Sequence, residues 1–221
     1  MLELTTKQRF VEVTYQMIGE KGLENIKVRD IAKQVGCTAA ALYKHFESFD
    51  YLIMLASIRY LEDYMEELTE ITRSIPDPVQ MDIEAWHAFN RHAFGNPRVF
   101  LHLFWGPCSS MFSDAAVEYY QLFPPQEKAH DEVFYGYYFM AAYNGALPER
   151  EFIWLRSAAS KGELDYDDAR YISITNNYIA HGMLLDHLDD FREPGKADEA
   201  ARSCNALIEK TIRTFLKNQA S

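Results

Sequence analysis

Residues 28–46 read VRDIAKQVGCTAAALYKHF, and toward their end Tyr43, Lys44 and His45 stand in succession. All three can donate hydrogen bonds to phosphate oxygens, the contacts that fix a protein's register on a nucleic acid. Thr38, Ala39, Ala40 and Ala41 come just before them. Side chains this short let the N-terminal end of a helix approach a groove closely. Arg29 opens the preceding helical segment, where a helix N-terminus adds its own attraction for anions, and Lys27 places another cation beside it. These residue types at these spacings suit nucleic-acid recognition.

Helical periodicity supplies the elements to hold them. Thr5 to Lys21 puts Phe10, Val13, Met17 and Ile18 on one stripe, with Thr5 and Gln8 as a capping box and Lys21-Gly22 as the stop. A second helix runs from Val28 to Val35, with Ile31, Ala32 and Val35 facing inward and Gly36 ending it. A third begins at Thr38, as N-cap, and continues through His45. Two short helices around a glycine turn follow the helix-turn-helix plan. A long helix is expected from Ser48 to Arg73, apolar at Leu52, Leu55, Ile58, Leu61, Met65 and Leu68. Further helices are expected at 79–94, 97–105, 112–122, 130–144, 149–160, 166–189 and 196–218, divided by Pro and Gly. The fold class is all-α.

Composition removes several function classes. The 221 residues are 48% hydrophobic and 25% charged, as in an ordinary soluble globular protein. No apolar run approaches the ~20 residues of a membrane span, and the N-terminus lacks a signal-peptide profile. Cys37, Cys108 and Cys204 are too widely spaced for a zinc site, and an odd number fits a reducing cytosol better than a disulfide framework. Net charge is −11, but residues 1–60 carry +1 and the remainder −12; the N-terminal end has room for a local basic face, which net charge alone does not show to bind nucleic acid. No Gly-rich phosphate loop, Gly-x-Ser-x-Gly or HExxH is present, and His87 and His92 are wrongly spaced for metal ligands on one helix face. No catalytic residue, metal or cofactor is expected.

Residues 6–60 resemble the DNA-binding domain of TetR-family transcriptional regulators. The resemblance rests on Gly22, Ile31-Ala32, Gly36-Cys37-Thr38 and above all Leu42-Tyr43-Lys44-His45-Phe46. It implies a three-helix helix-turn-helix head over residues 1–47 and a helical ligand-binding and dimerisation domain over 48–221. It further implies a cytoplasmic homodimer that represses transcription from an operator until a small molecule releases it. Thr38, Ala39, Ala40 and Ala41 sit where the family's recognition helix opens toward the bases. Tyr43 and His45 sit where it touches phosphates, and Lys44 takes a base or a phosphate. Arg29 and Lys27 add phosphate contacts, while Leu42 and Phe46 are core.

The chain departs from that pattern at three positions. Lys27 stands where the family has a Thr or Ser cap, Phe49 where it often has Lys, and Ala39 where a basic residue is common. Thymine-methyl contacts and DNA shape would then carry more of the specificity. Ala39 and Phe49 also suit an alternative, a ligand-binding or interaction module of the same fold that has lost specific DNA binding.

Aromatics are dense after residue 80, as in a small-molecule cavity. Candidate ligand contacts are Trp86, Phe89, His102, Trp105, Tyr119, Tyr138, Asn177 and His181, with Asn176 as a further polar neighbour. The expected effector is small and apolar or aromatic, and Tyr and Trp faces would also suit a flat cation. Tyr171, Ile174, Tyr178, Leu184 and Leu185 on one of the last two helices, with Ala200, Cys204, Leu207, Thr211 and Phe215 on the other, are expected to pair subunits in a four-helix bundle.

Overall fold

A computed structural model describes residues 4–124 and 147–217, and every regular element among them is helical. By packing, the described residues form two compact units, one of 4–62 with 98–124 and the other of 63–97 with 147–217. The expected boundary at 47/48 concerns function, and this packing does not bear on it. The helix expected at 130–144 lies outside the described residues.

In the first unit, α1 (Thr6–Lys21) starts at a complete capping box. The Thr5 hydroxyl accepts from the Gln8 amide at 3.2 Å, and the Gln8 side chain accepts from the Thr5 amide at 2.9 Å. Thr5→Ala should therefore cost about 1 kcal/mol, read as a lower denaturation midpoint with an unchanged slope. α2 (Val28–Val35) ends at Gly36, whose φ of +79° lies in the left-handed region. There the amides of Gly36 and Cys37 return to the carbonyls of Lys33 and Ala32 at 3.2 and 2.8 Å.

α3 is shorter than the sequence suggests, and regular helix covers only Ala39–Leu42. Beyond it the amides of Lys44 and His45 bond three residues back, to Ala41 and Leu42, in a tighter turn. Thr38 caps this helix with its carbonyl, which accepts from the Ala41 amide, and not with its hydroxyl. α4 (Phe49–Ile58) is capped by the Ser48 hydroxyl accepting from the Tyr51 amide at 3.0 Å. It is buried throughout from Tyr51 to Ile58 and packs on α1 and on α8 (Phe112–Leu122). The expected long helix is interrupted by a 3-10 turn at Arg59–Leu61 before α5 (Glu62–Ser74). At that turn the Arg59 guanidinium lies 4.3 Å from the Tyr15 ring centroid and bonds Glu12 at 3.0 Å. α7 (Pro97–Trp105) follows the chain's return to this unit.

In the second unit, α6 (Pro78–Gly95) begins with proline in its first turn and Asp77 accepting from the Gln80 amide at 2.7 Å. It packs on α9 (Leu147–Ser160) and α11 (Lys196–Phe215), while α10 (Tyr166–Asp186) packs on both of those. Leu184, Ala200 and Cys204, expected at a subunit interface, are buried inside the chain instead. Burial pushes the Cys204 thiol up to about 12, so it remains an uncharged packing group. Leu207 on the same helix points to solvent.

Candidate nucleic-acid interface

The α2–turn–α3 segment is held by two residues that face the core. Leu42 and Phe46 are buried, and the Phe46 ring meets Phe10 edge-on at 5.9 Å. The Lys7 ammonium lies 5.3 Å from the Phe46 ring centroid. With both neighbours turned inward, Tyr43 and Lys44 between them point outward, and Tyr43 is 57% exposed. His45 is only half-buried, with its ring 6.2 Å from that of Phe10. Lys27, Arg29, Thr38 and Ala40 are exposed, whereas Ala39 and Ala41 are half-buried.

Cations of this unit fall into two groups. Lys7 is paired with Glu118, Arg59 with Glu12 and Arg98 with Glu24. Among the described residues, Arg9, Lys21, Lys27, Arg29, Lys33 and Lys44 have no carboxylate at ion-pair distance, and Lys27, Arg29 and Lys44 are the three of these expected at the interface. The paired cations tie helices together, and the unpaired ones leave their charge available to an anion. Tyr51 strengthens the first group by donating to Glu118 at 2.6 Å, and burial with that carboxylate raises its phenol well above the usual range. Residues 10–52 match the family described as bacterial regulatory proteins, tetR family.

The chain carries a TetR-family head.

An HTH-type transcriptional regulator of Staphylococcus aureus (strain bovine RF122 / ET3-1) is 29% identical over 68 residues, which are 31% of this chain and 37% of that protein. Its counterpart in strain USA300 is 31% identical over 65 residues, 29% of this chain and 35% of that one. The match thus spans little more than a third of the length of these curated relatives. The fold extends much further. The structure of RolR in complex with resorcinol covers 97% of this chain and 96% of its own at 12% identity, with a TM-score of 0.58. The Thermus thermophilus FadR repressor in complex with lauroyl-CoA covers 97% and 98% at 13% identity, with a TM-score of 0.56. Beyond the TetR-family head the likeness is one of fold.

The residues expected to contact an effector divide between the two units. Trp86, Phe89, Asn177 and His181 belong to the second unit, and His102, Trp105 and Tyr119 to the first. Tyr138 lies outside the described residues. The His102 Nε2–H donates to the Asp50 carbonyl at 3.0 Å, and burial holds the ring neutral by lowering its basicity. The Tyr119 hydroxyl donates to Glu62 at 3.2 Å, and burial raises its phenol far above the usual range. Trp86 and Phe89 are buried and meet edge-to-face at 5.4 Å.

Two residues that the sequence reading passed over prove unusual here. Asp82 and Glu151 are carboxylates in the core of the second unit. A signal was available in both cases. Asp82 sits on the stripe of Val79 and Trp86, and Glu151 on that of Leu155 and Ala158, positions where helical periodicity calls for an apolar side chain.

Proposed function

We propose that this chain is a DNA-binding transcriptional regulator of the TetR type, a cytoplasmic homodimeric repressor that reads a near-palindromic operator and responds to a small apolar or aromatic effector. The observation that carries this reading is that Lys27, Arg29, Lys44 and Tyr43 are all exposed, the three cations without ion-pair partners, in a head that matches regulators. Two structures of the same fold hold small organic ligands, resorcinol and lauroyl-CoA, which supports an effector site here as well. No enzymatic activity is part of the reading. No helix among the described residues is long and apolar enough to cross a membrane.

An apolar stripe on α10 supports pairing of subunits. Tyr171, Ile174, Tyr178 and Leu185 recur at helical spacing and are exposed, Tyr178 at 71%, and Leu207 on α11 is exposed too. A contiguous exposed apolar face marks an interaction surface, and two helices from each of two subunits make a symmetric four-helix bundle. Tyr178→Glu should shift the chain to monomers at a concentration where the parent sediments as dimers. It should also weaken operator binding, because two heads read half-sites about 34–36 Å apart or a multiple of that. Effector binding would change the populated head spacing, with a coupling of about 1–3 kcal/mol.

The reading is tested by Lys44→Ala in operator titrations at several salt concentrations. A phosphate contact from each of two heads predicts uniform weakening across sequences and a salt slope shallower by about 2. An unchanged slope and affinity would remove Lys44 from the interface.

A further inference from the structure

Asp82 on α6 and Glu151 on α9 are fully or almost fully withdrawn from water, at 0% and 5% exposure. Glu151 Oε1 accepts from Trp86 Nε1 at 2.7 Å and Asn176 Nδ2 at 2.8 Å, and Ser173 also bonds this carboxylate. That leaves Glu151 Oε2, both oxygens of Asp82 and the Asn176 carbonyl oxygen with no hydrogen-bond partner. Burial raises both carboxyls above the usual range, and Asp82 raises Glu151 further. Asn176 is an independent mark of the same place, being fully buried with its amide at Glu151 and its oxygen unpartnered.

With both carboxyls ionised, all four unpartnered atoms are acceptors, so their complement is a group rich in N–H whose positive charge also favours that ionised state. Carboxyl oxygens withdrawn from water without a partner are costly, and apolar residues would serve packing better. No cluster of three or more His, Cys, Asp or Glu that could hold a metal ion occurs among the described residues. An organic cation fits two carboxylates and an amide better than a metal ion, which would ask for more ligands. Trp86, bonded directly to Glu151 and edge-on to Phe89, is the aromatic neighbour of these carboxyls.

We propose that Asp82, Glu151 and Asn176 form the charge-recognising end of the effector site, and that the effector carries an ammonium or amidinium group on an apolar body. The proposal rests on the regulator reading for the word effector and on the buried acceptors for the chemistry.

The test uses the full chain with benzamidine and phenethylamine as probes, each beside its neutral isostere, benzamide and 2-phenylethanol. Calorimetry and thermal melts are read on the parent, Asp82→Asn and Glu151→Gln. Expected are saturable binding and a raised melting temperature with the cations alone, and affinity about ten- to a hundredfold weaker in either variant. Neither cation binding the parent, or neutral isosteres binding as well as cations, would overturn the proposal without reference to any variant. If both variants fold yet keep the parent's affinity, it is overturned as well. Operator binding by a chain indifferent to both cations would leave the regulator reading standing. Cation binding through Asp82 and Glu151 without any DNA binding would remove the regulator reading and keep the site.

Discussion

Phe10→Ala is expected to destabilise the chain by about 3–5 kcal/mol and to abolish operator binding before the global fold is lost. Phe10 is completely buried and meets the Phe46 ring edge-on at 5.9 Å. Truncation removes both the buried area and the ring pair, and leaves a void that close packing does not refill. The void would open beneath Leu42 and Phe46, the two residues that turn Tyr43 and Lys44 outward. Urea denaturation followed by DNA titration separates the two effects. A loss below about 1 kcal/mol would show that the head does not depend on this ring.

Asp82→Asn is expected to do the opposite and stabilise the chain at neutral pH. In the folded state burial keeps the Asp82 and Glu151 carboxyls protonated to higher pH than in the unfolded chain. The folded state therefore binds more protons, and stability falls as pH rises from the unfolded carboxylate range near 4 through the raised folded values. An asparagine cannot ionise, and its amide can donate to Glu151. The variant should gain about 1–3 kcal/mol at pH 8 and show a flatter profile between pH 5 and 8. Urea midpoints at the two pH values check this. Equal or lower stability at pH 8 would mean that the buried pair imposes no such cost. The expected gain also explains why the pair calls for a functional role, since stability alone would not retain it.

Much of the head was legible because its determinants are local. Thr5 with Gln8 and the glycine after Val35 act within a few residues of themselves, and both behave as the sequence reading expects. The early end of α3 was not legible, because it depends on where Leu42 and Phe46 anchor, and that is set by Phe10 more than thirty positions away. The turn at Arg59–Leu61 is likewise a tertiary feature, associated with contacts from Arg59 to Glu12 and Tyr15 on α1. Apolar spacing on the last two helices could not by itself assign faces. Leu184 and Leu185 are adjacent, yet one is buried and the other exposed. The buried carboxylates were hardest to find, because Glu151 meets Trp86 across 65 positions and Asn176 across 25. Their only trace in the sequence was a charged residue at an apolar position in each helix.

The most direct measurement is a titration of the chain against its own upstream intergenic DNA at two salt concentrations, with scrambled DNA of equal length as competitor. Lys27, Arg29 and Lys44 on each of two heads give up to six charged phosphate contacts, so a logarithmic salt slope near −5 is expected for saturable, sequence-selective binding. Absence of binding even at low salt, or equal affinity for the scrambled duplex, would contradict the regulator reading.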